Sequence, residues 1–275
     1  MEYTIRDLIV RALQEDLGPG DVTTEATIRA ESRSTAVLLA KQELVLAGLD
    51  VNREVFQHLD PDMKFEPFAK DGDRINAGTE IAKLAGNTRA LLAGERVALN
   101  LLQHMSGIAT LTARIVEKIS ELKADVLDTR KTLPGLRKLE KYAVRVGGGR
   151  NHRFGLYDGV LIKDNHIRAA GSISRAVESA RKRVHHLLKI EVETKNLEEV
   201  HEALVANADI IMLDNMPIDT MREAVRLIAG RALVEASGNV TLETVRSIVE
   251  TGVDFVSVGG LTHSAPAVDI SMKIK

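Results

Sequence analysis

A run of basic side chains between Thr129 and Arg153 carries the clearest chemical signal in the sequence. It holds eight Lys or Arg residues and a single acid, Glu140. Guanidinium and ammonium groups bind carboxylates and phosphates, so the run predicts a ligand with several negative charges. The competing interpretation is a solvated basic face. The consecutive glycines Gly147–Gly149 favour the first interpretation, because glycine lets the backbone approach a ligand closely.

Acidic and small residues end four later apolar runs. Glu193 and Asp214 end two successive runs, and such carboxylates hold Mg²⁺ or accept hydrogen bonds from sugar hydroxyls. An ion pair with Lys163 is the competing interpretation. The last two runs end in Ser237–Asn239 and Gly259–Gly260, where α/β barrels often bind phosphate through backbone N–H groups. Together these residues predict a site for a sugar phosphate, a divalent cation and a second, carboxylate-bearing ligand.

The elements that must position these residues are short apolar runs typical of β-strands. The runs are Val126-Leu127, Gly159–Ile162, Lys189–Val192, Ile210–Leu213, Ala232–Glu235 and Phe255–Val258. Helical patterns lie between most of them, at residues 173–187, 197–207, 218–229 and 241–251. This alternation predicts a parallel sheet, and the active sites of α/β barrels lie at the C-terminal ends of the strands. Because no Gly-x-Gly-x-x-Gly motif follows an early strand, a barrel is favoured over a dinucleotide-binding fold.

The first hundred residues predict a different architecture. An amphipathic helix over about the first 15 residues is followed by strands at Thr35–Ala40 and Leu44–Ala47 and by a turn-rich stretch at 61–84. A helical pattern covers 89–120, and Ser106-Gly107 is expected to break it at a domain boundary. The prediction is an N-terminal α+β sandwich-like domain (1–105) and an α/β barrel catalytic domain (106–264), complete or incomplete. The tail 265–275 is a candidate to pack with the first domain.

Composition excludes several functional classes. The 275 residues carry a formal net charge of -2, which argues against a basic nucleic-acid coat, and aromatic residues make up only 3%. Cysteine is absent, so disulfides, thiolate metal sites and Cys nucleophiles are excluded. No apolar run approaches the roughly 20 residues that span a bilayer, and no signal-peptide pattern is visible. We therefore expect a soluble cytoplasmic protein that binds neither nucleic acid nor membrane.

Motifs along nearly the whole chain resemble those of quinolinate phosphoribosyltransferases. The similar segments are Gly20–Thr24, Gly94–Asn100, Asp128–Arg137, Gly147–Arg153, Lys163–His166, Glu191–Glu193, Leu213–Asn215, Glu235–Asn239 and Leu261–Pro266. The resemblance implies a glycosyltransferase of de novo NAD synthesis that joins quinolinate to phosphoribosyl pyrophosphate. The products are nicotinate mononucleotide, pyrophosphate and CO2, and Mg²⁺ is required. It also implies a homodimer or higher oligomer.

The same resemblance implies a role for each candidate site residue. The dicarboxylate site comprises Arg130, Lys131, His152, Arg153 and Lys163, with Arg96 supplied by a second copy of the chain. Glu193 and Asp214 match the acidic pair at the ribose and Mg²⁺, and with Lys163 they are the expected catalytic residues. Ser237, Gly238, Asn239 and Gly259 match the loops that bind the 5-phosphate, and Thr129 and Gly260 complete the expected substrate-binding set.

Two other functions stay open at this point. One is a paralogous phosphoribosyltransferase, such as the relative associated with molybdenum transport, that acts on another anionic acceptor. The other is a sugar-phosphate-binding barrel without catalytic activity. The presence of all six charged residues Arg130, Lys131, Arg153, Lys163, Glu193 and Asp214 argues against the second.

Overall fold

The computed structural model describes residues 4–275, so the first three residues of the predicted helix and domain lie outside it. The chain forms two compact units. The first comprises the described residues up to Leu111 together with Pro134–Gly147 and Ala265–Lys275. The second comprises Thr112–Leu133 and Gly148–Ser264. Each unit is thus assembled from separate stretches of sequence, and the predicted division after residue 105 stays a prediction.

The described elements alternate between helices and short strands. In chain order they begin with α1 (Ile5–Leu17), α2 (Val22–Thr27), β1 (Arg33–Ala40), β2 (Leu44–Val45), α3 (Leu49–Leu59), β3 (Lys64–Pro67), β4 (Arg74–Ile75), β5 (Glu80–Asn87) and α4 (Thr88–Lys118). They continue with β6 (Asp125–Leu127), α5 (Arg137–Val146), β7 (Val160–Ile162), α6 (Asp164–Ala170), α7 (Ile173–Arg183), β8 (Ile190–Thr194), α8 (Leu197–Val205), β9 (Ile210–Asp214), α9 (Ile218–Ile228), β10 (Leu233–Ser237), α10 (Val245–Val249), β11 (Phe255–Ser257), α11 (Gly260–His263) and β12 (Ile270–Ile274).

The first unit contains an antiparallel sheet in the order β12, β1, β5, β3 and a two-stranded pair of β2 with β4. β1 pairs with β5 on one side and with β12 on the other. The predicted strand at Thr35–Ala40 therefore exists, and residues from the tail complete its sheet. Its α1 helix buries Ile9 and Leu13, as the apolar periodicity predicts.

The prediction of a helix break at Ser106-Gly107 was wrong, because α4 is continuous across both residues. Ser106 is buried, and its Oγ accepts a hydrogen bond from the Ala47 N–H (3.0 Å) instead of capping a new helix. A Cβ on Gly107 would lie 2.2 Å from the carbonyl oxygen of Pro266. The glycine therefore serves a close approach of two backbone segments and does not end the helix.

The second unit is built on six parallel strands in the order β6, β11, β10, β9, β8, β7. Helices follow most of these strands, and the six apolar runs predicted from the sequence all lie in or overlap them. β6 and β7 are the two ends of this order. The predicted fold class, a parallel α/β domain with an N-terminal domain of mixed helices and strands, is confirmed.

Two sequence predictions about helices need correction. The helix expected over 241–251 is shorter, since α10 spans only Val245–Val249. The helices α3 and α5 were not predicted from the sequence. Among the described residues, no helix is both long and apolar enough to cross a membrane.

Candidate active site

The second unit encloses a cavity of about 570 Å³ at the C-terminal ends of its parallel strands. The predicted residues that line it are Thr129, Arg130, Lys131, His152, Arg153, Lys163, Glu193, Asp214, Ser237, Gly238, Asn239, Gly259 and Gly260. Arg96, which is exposed on α4, is not among the lining residues. Side chains that the sequence did not single out also line it, among them Met212, Glu235, Ser257 and His263.

Parallel strand order explains why residues so far apart in sequence meet here. Lys163 directly follows β7, Glu193 lies near the end of β8, and Asp214 is the last residue of β9. Ser237 ends β10, and Gly259 follows shortly after β11. Since parallel strands end at one edge of the sheet, all five residues lie around the same cavity.

Cations form one wall of this cavity. The guanidinium of Arg153 donates a hydrogen bond to the Gly159 carbonyl (3.0 Å). Burial, and then the positive charge of Arg130, lower the pKa of Arg153, while Glu191 and Asp158 act in the opposite direction. A bound anion would relieve the repulsion between the two guanidinium groups. The wall is therefore suited to a ligand that carries more than one negative charge.

The rest of the basic run serves other purposes. Of its eight cations, only Arg130, Lys131 and Arg153 line the cavity. Those between residues 137 and 145 lie on α5 in the first unit, and Arg150 pairs with Asp125 (2.8 Å). Gly147–Gly149 follow α5 and are not among the residues that line the cavity, and their approach to a ligand stays a prediction.

Lys163 and Glu193 form an ion pair inside the cavity, with Lys163 Nζ 2.6 Å from Glu193 Oε2. The alternative that the sequence left open, a pairing of this carboxylate with a neighbouring cation, is thus observed. Glu193 is 9% exposed, whereas the Lys163 side chain is half exposed. The Lys163 backbone N–H is fixed by His166 Nδ1 (2.9 Å). The Lys163 backbone is therefore held in place, while its ammonium remains accessible to a ligand.

The loops after β10 and β11 bring backbone close to side chains of the site. A Cβ on Gly259 would lie 3.0 Å from the Lys131 side chain and 3.2 Å from His263. The Thr262 hydroxyl donates to the Lys131 carbonyl (2.7 Å), which ties this loop to the residues after β6. Loops at this position in α/β barrels often bind phosphate.

Glu191 and Glu235 form a buried acidic pair next to His152 that sequence reasoning missed. His152 Nε2 lies 3.1 Å from Glu191 Oε2 and 3.6 Å from Glu235 Oε2. The Arg153 backbone N–H donates to His152 Nδ1 (2.7 Å), so Nε2 carries the proton and faces the two carboxylates. The carboxylate-binding role expected for His152 therefore competes with two contacts inside the protein.

Burial makes this pair hold a proton. Glu191 is 4% exposed and Glu235 only 2%. Burial, followed by the negative charge of Glu191, raises the pKa of Glu235 to about 8, and His152 partly offsets this rise. One potential ligand atom from each of the three side chains lies within 4.8 Å of the others, which also matches the spacing of a metal site.

The alternation Ile190-Glu191-Val192-Glu193 contains a signal that could have found one member of this pair. Successive strand residues point to opposite faces, so Glu191 and Glu193 must share the face that bears the cavity. Glu193 was singled out because it ends the run, whereas Glu191 lies inside it. The same reasoning applied to Ser237 would have selected Glu235, two residues earlier in β10.

Comparisons with known proteins place this geometry in a family. The family model described as "Quinolinate phosphoribosyl transferase, C-terminal domain" matches residues 108–273, and the corresponding N-terminal domain model matches residues 21–106. A probable nicotinate-nucleotide pyrophosphorylase [carboxylating] of Bacillus subtilis (strain 168) is 47% identical over 98% of this chain and 93% of its own length. A protein of the same name from Synechocystis is 50% identical over 95% of this chain and 90% of its own length.

A solved structure shows the same similarity in three dimensions. The nicotinate-nucleotide pyrophosphorylase from Francisella tularensis superposes with a TM-score of 0.94 and is 41% identical in sequence. The match covers 98% of this chain and 96% of that one. Both units are therefore shared with that protein.

Proposed function

The chain belongs to the quinolinate phosphoribosyltransferase family, and we propose that its cavity joins quinolinate to phosphoribosyl pyrophosphate with loss of CO2. The products are nicotinate mononucleotide and pyrophosphate, in de novo NAD synthesis. The observation that carries this proposal is the composition of one cavity. Four cations, the acidic pair Glu193 and Asp214, and two glycine-containing loops line it together at the C-terminal strand ends.

The cationic wall accounts for recognition of the acceptor. Quinolinate is a dianion, and its burial is costly unless its charges are paired. Arg130, Lys131 and Arg153 supply positive charge from two segments of the chain, and Lys163 adds an ammonium that is only half covered. Guanidinium groups bind planar carboxylates with two parallel hydrogen bonds, which orients the pyridine ring as well as holding it.

Glu193 and Asp214 account for transfer of the ribosyl group. Displacement at the anomeric carbon passes through a state with oxocarbenium character, and nearby carboxylates stabilise that positive charge. When the acceptor binds, Lys163 contacts its carboxylate and Glu193 at once. This arrangement couples occupation of the acceptor site to the charge of the acidic pair.

The donor set also fits Mg²⁺, which prefers carboxylate oxygens and substrate phosphates. Glu193 and Asp214 both line the cavity and would hold the ion, although Lys163 already contacts one oxygen of Glu193. The bound ion would neutralise charge on the pyrophosphate group. The two acids would hold it directly or through bound water.

Decarboxylation needs little further machinery. Once the ring nitrogen is ribosylated it is cationic, and it stabilises the carbanion that loss of CO2 leaves on the adjacent carbon until that carbon takes up a proton from water. The protein's part is to orient the departing carboxylate, which falls to Arg130 and Lys163. No separate electron-accepting cofactor is required by this chemistry.

The direct test is release of CO2 and pyrophosphate from quinolinate, phosphoribosyl pyrophosphate and Mg²⁺, with nicotinate as the control acceptor. We expect turnover with quinolinate and none with nicotinate. Turnover with nicotinate alone would redirect the assignment to another acceptor, as the paralogous enzyme predicts. Binding of both substrates without any product would favour a barrel that has no catalytic activity.

We further propose that the enzyme works as a homodimer or larger oligomer in which Arg96 of one copy completes the site of another. Its support is the exposure of Arg96 on α4, together with its absence from the residues that line the cavity. Mixing an Arg96→Ala chain with a Lys163→Ala chain should restore part of the activity through mixed oligomers. Verified mixed oligomers without activity would refute shared sites.

A cytosolic location is also part of the proposal. The chain contains no cysteine, which suits a reducing compartment. Among its relatives, the plant proteins are named as chloroplastic or mitochondrial, so location varies within the family. Fractionation of the source cells, with the activity assayed in each fraction, tests this assignment.

A further inference from the structure

A carboxamide outside the cavity lining joins two parts of the site. Asn215 Nδ2 donates a hydrogen bond to Asp214 Oδ1 (3.1 Å), and Asn239 Nδ2 donates to Asn215 Oδ1 (3.0 Å). The amide orientation is fixed, because a carboxylate only accepts hydrogen bonds. Both partners of Asn215 line the cavity, whereas Asn215 itself does not. Its side chain therefore links the acid that ends β9 with the loop after β10.

The backbone at both ends of this link adopts an uncommon conformation. Asn215 has a φ of 53° and Asn239 a φ of 52°, in the left-handed region that few residues other than glycine adopt. Asparagine is the side chain that tolerates this region best. The Asn215 N–H also donates to the Ser237 carbonyl (2.9 Å), which extends the pairing of β9 with β10 by one residue. The two turns are thus held against each other by backbone as well as by side chains.

Gly238 shows how closely the loop is built around this amide. Its φ is 93°, and a Cβ there would lie 2.2 Å from Asn215 Oδ1 and 2.4 Å from Asn215 Cγ. Any other residue at this position would displace the carboxamide. The glycine of the expected phosphate loop is therefore required by the carboxamide of Asn215, which directly follows β9.

We propose that Asn215 is a positioning residue for phosphoribosyl transfer, which holds the Asp214 carboxylate and the Gly238–Asn239 turn in the arrangement that receives the ribose phosphate. For the nature of that ligand, the inference rests on the proposed function. Because the amide contacts Oδ1 of Asp214, it sets the direction in which Oδ2 points. Asn215 acts through its two partners and is not expected to touch the substrate.

Two substitutions separate the parts of this role. Asn215→Gly keeps a left-handed backbone accessible but removes the amide. Asn215→Asp keeps an acceptor for Asn239 but loses the donor and places a like charge beside Asp214. Asn207→Gly is the matched control, because Asn207 is also left-handed (φ 58°) and exposed, and it lies at the opposite end of β9, away from the cavity.

The measurements are steady-state kinetics and the binding of phosphoribosyl pyrophosphate in the absence of metal. Asn215→Gly removes a hydrogen bond to a charged group. We therefore expect its kcat/KM for phosphoribosyl pyrophosphate to fall about ten- to hundredfold. KM for quinolinate should change less than about threefold. The Kd of phosphoribosyl pyrophosphate in EDTA, measured by calorimetry, should rise in the same variant. Asn215→Asp should lose more kcat than Asn215→Gly, and Asn207→Gly should match the wild type in every measurement.

Several results would overturn the inference. These are wild-type kinetics in Asn215→Gly, an equal loss in Asn207→Gly, or equal increases in KM for both substrates. If Asn215→Gly does not fold, as judged by its melting curve, the Asn215→Asp variant decides the matter. A wild-type chain that fails to convert quinolinate would refute the proposed function. Binding of phosphoribosyl pyrophosphate in EDTA would still test the role of Asn215.

Discussion

Replacing Glu235 with glutamine should make the stability of this protein less sensitive to a rise in pH from about 5 to 8. The carboxyl is almost fully buried, and its pKa is raised to about 8 by burial and then by the charge of Glu191. In the unfolded chain the same group ionises near its ordinary value of 4.5. Between these two values the folded state retains a proton that the unfolded state has lost. The stabilising contribution of Glu235 is therefore complete below pH 4.5 and is lost as pH rises to about 8.

The expected magnitude follows from this pKa difference. Each unit of pKa difference between folded and unfolded states corresponds to about 1.4 kcal/mol, so the full change amounts to roughly 5 kcal/mol. Glutamine has nearly the same shape and does not ionise. The free energy of unfolding of Glu235→Gln relative to wild type should therefore increase by a few kcal/mol between pH 5 and pH 9.

Urea denaturation of both proteins at pH 5, 7 and 9 measures the effect. Glu223→Gln, a substitution of an exposed carboxyl on α9 of the same unit, is the matched control and should show a constant difference from wild type. Titration of the Glu235 carboxyl followed by carbon NMR provides a second, site-specific readout. A difference for Glu235→Gln that is constant with pH, or that shrinks as pH rises, would refute the reasoning.

Two further predictions concern the ion pair and the helix that was expected to break. Lys163→Met should lower kcat/KM for quinolinate by at least about a hundredfold, since it removes a ligand contact and leaves Glu193 unpaired. The control is Lys195→Met, which removes an exposed ion pair. Its kcat/KM should stay within about threefold of the wild-type value. Gly107→Ala should lower Tm by several degrees, because its methyl group would overlap a backbone carbonyl. Gly260→Ala, where an added Cβ meets nothing within 4 Å, should leave Tm unchanged, and equal Tm changes in the two variants would contradict this account.

The sequence predicted the ends of the strands better than their interiors. Asp214 and Ser237 were found because an apolar run stops at a polar residue, which is a local signal. Glu191 and Glu235 were missed because each lies inside an apolar run, where only the two-residue period of a strand places it on the same face as Glu193 or Ser237. Their contact with His152 joins β8, β10 and the loop before β7, and no local pattern encodes that distance.

Glycine was the least reliable guide from the sequence to local structure. Gly107 looked like a helix break, but it admits a carbonyl from a segment about 160 residues later in the chain. The glycines after α5 looked like a ligand loop, yet they follow the helix at its C-terminal end. At Gly107 the missing side chain allows close packing of backbone, which depends on a partner that the local sequence does not reveal.

The pairing of β12 with β1 has a consequence for the order in which this protein is made. β1 emerges from the ribosome early, whereas its sheet neighbour β12 is translated only after the whole second unit. At about 5–20 residues per second, the sheet edge of β1 waits on the order of ten seconds or more for its partner. Throughout that time the edge is open to other strands, including those of neighbouring nascent chains. The second unit can therefore fold first, and the first unit is completed only once β12 has been made.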